Sequence, residues 1–235
     1  SVTQPLTWAM GSADWDLNLS SNWVDATSAV TTYQEAGGLG DSVVFEDGLS
    51  GIAPITVNVP ATVIPASITV SNDAKDFTFS GNGLIAGNAS LIKLGANLLT
   101  VSLTNNSYIG GSVIGGGTVS LTIPTAGQLG SGTVVITNGA VLSLFRGDAD
   151  DNSTVGNFNT PINVPSGQSG TIWMSPRSRT ASSGSAATFT PTVTGGGTWI
   201  QTVPGTSSSY AVAVDGSGGV WITGTKNIDS LMVAR

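Results

Sequence analysis

Residues 90–144 read SLIKLGANLLTVSLTNNSYIGGSVIGGGTVSLTIPTAGQLGSGTVVITNGAVLSL, and this stretch decides the fold. Short runs of β-forming residues alternate in it with Gly and Asn turns, and two residue types return every 22 positions. A fixed period of about 20 residues that is built from strands and turns is typical of a solenoid. The recurring residues are Ile92, Ile114 and Ile136, and likewise Gly95, Gly117 and Gly139.

One such coil cannot bury its apolar side alone, so successive coils must stack and share an interior. We therefore predict an all-β fold, a β-solenoid with about 22 residues per coil, in which Ile92, Ile114 and Ile136 align in one column. The constant spacing of the glycines predicts a tight corner at the same place in each coil.

The composition of the whole chain agrees with strands rather than helices. Hydrophobic residues make up 40% of the 235 residues, which is too many for a disordered chain. Glycine occurs 32 times, about twice its usual share, and Ser, Thr and Asn are abundant. No segment of about 12 residues or more shows a convincing helical period of apolar residues.

Charged residues are scarce, and this excludes several classes of partner. They make up 9% of the chain, the net charge is −7, and residues 94–145 contain none at all. Seven basic residues are too few to neutralise phosphates, so we expect no nucleic-acid partner and no attraction to an anionic membrane surface. No run of about 18 apolar residues occurs, so we also expect no membrane insertion.

The absence of cysteine is compatible with an exported β-protein that needs no disulfides. The sequence begins at Ser1 without the basic and apolar segments of a signal peptide. We expect an extracellular or cell-surface protein from which a signal peptide has been removed.

Four regions follow one another in what we predict to be one continuous domain. Residues 1–48 end in a strand and contain three tryptophans, which favours an N-terminal cap over the open end of the first coil. A platform for stacking sugar rings is the alternative interpretation. Residues 49–145 are the regular coils, 146–170 a polar excursion and 171–235 the C-terminal coils. The three tryptophans are Trp8, Trp15 and Trp23.

Two further tryptophans, Trp199 and Trp221, show the spacing of the repeat again and follow similar Gly-rich segments. Their spacing predicts that the solenoid resumes after the excursion with the same coil length. Tryptophan rings also suit the CH groups of sugars, so Trp199 and Trp221 are our candidate glycan-binding residues.

Several segments resemble a known family in their order and spacing. Family repeats usually read KxGxGTLTL, whereas residues 93–101 read KLGANLLTV, with an altered turn and a more apolar strand. The segments are Thr7–Trp8 with Trp15 and Asn22–Trp23, DSVVF at 41–45, Ile68–Ile114 and Leu129–Leu144. On these residues the chain resembles the autotransporter-associated β-strand repeat family of bacterial surface proteins. The resemblance implies a right-handed parallel β-helix that is exported, displayed outside the cell and not enzymatic.

The chain lacks histidine and cysteine, which removes Ser-His-Asp and Cys-His catalysis and the usual zinc sites. One acidic cluster remains for a metal: Asp148, Asp150 and Asn152 sit at alternate positions, as in the first half of a Ca²⁺-binding loop. The second half of such a loop does not follow, because Ser153 and Asn159 stand where Gly and Glu are needed. A solvated turn is the alternative.

Parallel β-helices also host polysaccharide lyases, which need a basic residue beside a Ca²⁺ held by carboxylates. Arg146, Arg177 and Arg179 are the candidates for the base. A hydrolase would need paired carboxylates, and residues 94–145 offer none.

Two hypotheses about function follow. The first is a non-enzymatic extracellular structural or adhesive protein that assembles with copies of itself, head to tail or side by side, into a fibre or matrix. The second is a glycan-binding module or lyase-like enzyme that binds surface glycans.

Overall fold

A computed structural model describes residues 4–48, 53–122, 127–145, 157–175, 188–189, 192–203, 210–214 and 220–224. All the regular structure in these ranges is β. The strands are β1 Pro5–Trp8, β2 Ala13–Asp14, β3 Trp23–Val24, β4 Val30–Thr31, β5 Glu35–Ala36, β6 Leu39–Gly40, β7 Ser42–Glu46, β8 Ile55–Asn58, β9 Ser67–Ser71, β10 Phe77–Ser80, β11 Leu91–Leu94, β12 Leu98–Val101, β13 Ser112–Ile114, β14 Thr118–Leu121, β15 Val134–Ile136, β16 Ala140–Phe145, β17 Asn157–Phe158, β18 Ile162–Asn163, β19 Ser169–Ser175, β20 Thr188–Phe189, β21 Val193–Thr194, β22 Thr198–Val203, β23 Tyr210–Val214 and β24 Val220–Gly224.

The strands wind alternately through two long sheets. From β7 to β16, each strand pairs in parallel with the strand two elements further along, so odd-numbered strands build the first sheet and even-numbered strands the second. This alternation continues through β18, β19, β21 and β22. A chain that returns to the same sheet once per turn is a β-solenoid, so the predicted all-β parallel β-helix is confirmed.

The length of the coil changes along the stack. In the second sheet Ile55 pairs with Phe77 and Phe77 with Leu99, and both steps equal the predicted repeat. The step from Leu99 to Val119 is slightly shorter, and the step from Val119 to Leu142 is slightly longer. The next partner of Leu142 is Ile172, which lies much further along the chain. The predicted repeat therefore holds closely for the coils between β8 and β16, and the coil after them is longer.

The interior column of the first sheet corrects one prediction. Ile114 pairs with Ile136, and both are buried, but the neighbour of Ile114 on the other side is Lys93 and not Ile92. The coil that joins β11 to β13 is one residue shorter than the predicted repeat, since Leu91 pairs with Ser112. Because side chains alternate between the two faces of a strand, a shift of one residue turns Ile92 outward and places Lys93 inside.

The recurring glycines mark the corner between the two sheets. Gly95, Gly117 and Gly139 have φ angles of 78°, 58° and 72°, a left-handed conformation that glycine adopts without strain. A Cβ atom on Gly95 would also overlap the backbone of Asn72 in the preceding coil. The glycine spacing was thus a correct guide to a tight turn with a left-handed residue, and at Gly95 and Gly117 the preceding coil leaves no room for a Cβ atom.

Aromatic side chains fill the interior at the N-terminal end. Trp15 lies 5.5 Å from Tyr33 and 5.6 Å from Phe45, measured between ring centroids. Trp8 and Trp23 meet edge to face at 4.9 Å. All three tryptophans are at most 1% exposed, so the interpretation of this region as a sugar-stacking platform is wrong.

The strands of the predicted cap region close this end of both sheets. β1 pairs in parallel with β7, and β3 and β4 then continue the first sheet in antiparallel fashion. β2 ends the second sheet beside β8.

The C-terminal strands depart from the predicted coils. β22, β23 and β24 pair in antiparallel order, with Trp199 opposite Val214 and Trp221 opposite Ala213. The spacing of Trp199 and Trp221 therefore does not reflect two stacked coils. Part of the predicted polar excursion belongs to the stack as well, because β18 pairs with β15.

Candidate functional site

The outer side of the second sheet carries rows of hydroxyl groups. Residues that pair between coils stack in rows, since neighbouring strands lie about 4.7–4.9 Å apart. Each residue of the first row pairs with the next, and all of them alternate with buried core residues. This row consists of Thr56, Thr78, Thr100, Ser120 and Ser143.

A second row runs parallel to the first, two residues along each strand. Asn58 pairs with Ser80, and the amide of Ser102 donates to the Phe79 carbonyl, which keeps the same register. The Thr122 hydroxyl donates to the Ser102 hydroxyl at 3.2 Å. Asp14 ends this row, where its carboxylate accepts a 2.7 Å bond from the Asn58 side chain. We call the two rows together the hydroxyl face.

Aromatic and aliphatic residues continue the hydroxyl face on the later coils. Trp173 pairs with Ser143 at the end of the first row, and its side chain is 37% exposed. Thr171 precedes it by two residues on the same side of the strand and pairs with Ile200, which is 42% exposed. An uncharged polar surface thus leads to an exposed tryptophan.

Ser143 stands out among the hydroxyls of the face. It is only 2% exposed, although it occupies an outward position between Ser120 and Trp173. Within the described part of the chain its Oγ atom has no hydrogen-bond partner. A buried hydroxyl without a partner costs free energy, and most such groups in proteins are paired.

The outer side of the first sheet is different in character. Ile92, Val113 and Val135 pair in succession and face outward, each partly exposed. Thr69 extends this line on one side and Asn163 on the other. We call Ile92, Val113 and Val135 the aliphatic row.

Acidic side chains bind the coils together near the corner between the sheets. The Asp47 carboxylate accepts backbone N–H bonds from Asp73, Ala74 and Lys75 in the next coil. Burial alone would raise the pKa of Asp47, but these three donors and the charge of Lys75 outweigh it and lower that pKa. Asp73 repeats the pattern by accepting from the amide of Ala96 at 2.8 Å.

The buried Lys93 side chain also links two coils at this corner. Its Nζ atom donates to the carbonyls of Leu94 at 2.7 Å and Gly95 at 2.9 Å, and to that of Gly116 in the next coil at 3.3 Å. Burial lowers the pKa of Lys93 to about 8, opposed by the charges of Asp73, Asp47 and Asp76. The role that this geometry supports is therefore structural.

At the other corner of the solenoid, the buried side-chain amides of Asn106 and Gln128 link neighbouring coils. The Asn106 side chain accepts from the amide of Ile85 at 2.8 Å and donates to the carbonyl of Gln128 at 2.8 Å. The Gln128 side chain in turn donates to the Val101 carbonyl at 2.9 Å. These bonds cross three coils, so the buried amides hold the stack in register.

A cavity of about 360 Å³ opens at the N-terminal end. Both of its carboxylates are engaged by the backbone: Asp41 accepts from the amides of Gln4 and Gln34, and Asp25 from those of Thr27 and Ala29. The hydrogen bond from the Thr27 hydroxyl contributes most to lowering the pKa of Asp25, and the amides of Ala29 and Thr27 lower it further. The lining residues are Gln4, Leu6, Asp25, Thr31, Thr32, Gln34 and Asp41.

The residues that the sequence put forward for chemistry fall mostly outside the described ranges. This applies to the proposed Ca²⁺ ligands Asp148, Asp150 and Asn152, and to Arg146, Arg177 and Arg179. Among the residues that are described, no group of three acidic side chains is placed to hold a metal ion.

The two candidate glycan-binding tryptophans are not brought together in one row. Trp199 is partly buried and packs against the hydrophobic core. For Trp221 the backbone in β24 is described, but not the side chain. Trp173, which is the exposed tryptophan beside the hydroxyl face, was not singled out from the sequence.

Comparison with known proteins gives one informative similarity. The chain is 30% identical over 164 residues to the adhesin BmaC autotransporter of Brucella suis biovar 1 (strain 1330). The similar region covers 66% of this chain and 4% of the Brucella protein, so the chain corresponds to a small part of that relative's length. No family model matches the chain, and no solved structure matches it. In the described ranges no helix is long and apolar enough to cross a membrane.

Proposed function

We propose that this chain is an adhesive and structural module of a protein displayed on the bacterial exterior, and that copies of it associate with one another. The observation that carries the proposal is a long parallel stack whose outer sheet faces are almost free of charge. Such faces can be brought against another surface without desolvating charged groups, which is the costly part of burying polar surface.

The similarity to an autotransporter adhesin supports an exported location and an adhesive role. A non-enzymatic role is supported by the state of the described acidic side chains. Asp25, Asp41, Asp47 and Asp73 all accept backbone hydrogen bonds, and a carboxylate held in this way serves the fold rather than proton transfer.

For association between copies we propose the aliphatic row as the contact surface. Ile92, Val113 and Val135 are β-branched, uncharged and aligned across three coils. The row contains no charged side chain, so packing it against a second copy requires no desolvation of a charged group. Two such rows placed side by side would bury apolar surface on both copies.

The test is a comparison of two charged substitutions in the same coil. Val113→Lys places a charge in the aliphatic row, whereas Ser120→Lys places one on the hydroxyl face. Light scattering and negative-stain microscopy of the purified full chain should show assemblies for the wild type and for Ser120→Lys, and dispersed monomers for Val113→Lys. A wild type that stays monomeric at high concentration in both low and high salt would remove self-association from the proposal.

The adhesive part is tested separately by displaying the chain on the surface of a bacterium that does not adhere. We expect displayed wild type to increase attachment to polysaccharide-coated and protein-coated surfaces. A display strain that attaches no better than its parent on any coating would overturn the adhesive function.

A further inference from the structure

We propose that the hydroxyl face together with Trp173 is a binding site for a neutral polysaccharide chain that lies along the stack and crosses the strands. This inference rests on the proposed adhesive function and adds the site and the chemical class of the ligand. It uses residues other than Trp199 and Trp221.

The rows of hydroxyls match the chemistry of an uncharged sugar chain. A Ser or Thr hydroxyl both donates and accepts hydrogen bonds, as does each hydroxyl of a sugar. The solvent-accessible part of the first row extends from Thr56 to Ser120 over four coils, which is about 14 Å at the usual spacing of strands, and Trp173 lies two strands further along the same line. A row of this length suits a linear ligand of several units rather than one small molecule.

The charge distribution selects among sugar chains. Neither row contains a charged residue from Thr56 to Ser143 or from Asn58 to Thr122, and Asp14 ends the second row. The whole chain carries a net charge of −7. A sulfated or uronic-acid polysaccharide would therefore meet no cation among the described residues of this face and would be repelled by the net charge of the protein as a whole.

Trp173 supplies the part of the site that hydroxyls cannot. An indole ring offers a broad apolar face, and such rings bury large areas on binding. The CH groups of a sugar ring can pack on it while the sugar hydroxyls reach the adjacent row. Trp173 pairs with Ser143, the last residue of that row, so the indole lies on the same line as the row of hydroxyls.

Ser143 occupies the position between the accessible hydroxyls of the first row and Trp173. It is buried beside Trp173 and lacks a hydrogen-bond partner among the described residues. Because its Oγ atom is shielded from solvent, Ser143 does not contact the ligand itself, and the hydroxyls of the first row that are open to a ligand are those of Thr56, Thr78, Thr100 and Ser120.

A second copy of the chain is a poorer occupant of this face. Packing it against the aliphatic row of a neighbour would bury hydroxyls against apolar groups and leave them without partners. Pairing two aliphatic rows avoids this cost. The hydroxyl face is thus the one to which a polar, uncharged ligand is suited.

The experiment measures binding of the full chain to cellohexaose, maltohexaose and chitohexaose, with a heparin hexasaccharide as the acidic comparison, by isothermal titration calorimetry. We expect at least one neutral oligosaccharide to bind, with an affinity that salt does not change, and heparin not to bind. Trp173→Ala and the double substitution Thr78→Val/Thr100→Val should each weaken binding about tenfold or more.

The valine substitutions keep the β-branched shape and replace each hydroxyl by a methyl group of similar size, so the fold is retained. Thr69→Val is the matched control, because it removes an outward hydroxyl from the first sheet and should leave binding unchanged. The proposal is overturned if no neutral oligosaccharide binds, if only heparin binds, or if Thr69→Val weakens binding as much as the double substitution.

Two outcomes separate this inference from the proposed function. If the displayed chain promotes attachment, but the double substitution and Trp173→Ala leave attachment unchanged, the adhesive function stands and this site is wrong. If the double substitution abolishes self-association without affecting sugar binding, the face belongs to a second copy and the inference is also overturned.

Discussion

Lys93 lies directly beside Ile114 in the column of side chains that faces the interior of the solenoid. Its aliphatic stem continues the apolar column, and its ammonium group reaches the carbonyls of the corner in its own coil and in the next. Stem and charge therefore serve different purposes, since the stem is buried along apolar surface and the charge links two coils.

The first prediction concerns the pH dependence caused by Lys93. A lysine whose pKa is lower in the folded state than in the unfolded state binds fewer protons when folded. The free energy of unfolding should therefore rise as the pH increases from about 8 towards the ordinary lysine value of 10.5. Lys93→Met should flatten this rise, as measured by chemical denaturation at pH 7, 8, 9 and 10.

The buried tyrosines limit the useful range of that measurement. Burial raises the pKa of Tyr108, so ionisation of tyrosine in the unfolded state lowers stability above pH 10. Lys75→Met serves as the control and should keep the rise between pH 8 and 10. If the stability of Lys93→Met rises with pH as steeply as that of the wild type, the rise is not caused by Lys93.

The second prediction concerns Asp47, which binds three backbone amides of the next coil. Asp47→Asn removes the charge and one acceptor oxygen, and it should lower the free energy of unfolding at pH 7 by about 1 kcal/mol, after allowance for its solvent exposure. Its lowered pKa means that the wild type loses this contribution as the pH falls below the ordinary value of 3.8.

Urea denaturation should accordingly show that the difference in stability between the wild type and Asp47→Asn shrinks as the pH is lowered from 5 to 2. Glu46→Gln changes the neighbouring exposed carboxylate and is the matched control. An Asp47→Asn variant with full stability at pH 7 would show that the three amide bonds contribute nothing net.

The third prediction compares two glycines that have nearly the same backbone conformation. Gly95 and Gly167 have φ angles of 78° and 76°, but a Cβ atom would overlap Asn72 only at Gly95. Gly167→Ala should cost about 1–2 kcal/mol, the usual penalty of a left-handed residue. Gly95→Ala should cost clearly more, because the backbone of two coils must also separate. Equal melting temperatures for the two variants would refute the close contact between these coils.

The repeat in residues 90–144 predicted the solenoid, and physical reasons explain why it misplaced some residues. The glycine period was informative because the corner requires a left-handed residue at each of these glycines and has no room for a Cβ atom at Gly95 and Gly117. The isoleucine period was misleading at Ile92, since the coil that follows it is one residue shorter and strand alternation reverses its side. A lysine in the sequence normally indicates an outward position, and nothing local to Lys93 shows that turn carbonyls are available to it.

The candidate site could have been found in part from the sequence. The pattern Thr-x-Asn or Thr-x-Ser recurs in ITVN at 55–58, FTFS at 77–80 and TVS at 100–102, each with apolar residues between the polar ones. Alternation then predicts two polar rows on one side of the sheet. Trp173 could not be added to them, because the coil that carries it is much longer than the repeat and departs from its spacing.

The buried amides and the corner contacts also determine how the solenoid unfolds under mechanical force. Each coil is bonded chiefly to the coil before it and the coil after it, through its strands, Asp47, Lys93 and Asn106. A force applied along the long axis is therefore carried by the windings in series, and each can give way by itself and lengthen the chain before the next one is loaded. Under load along its axis, such a stack is expected to lengthen in steps, one coil at a time, rather than to unfold all at once.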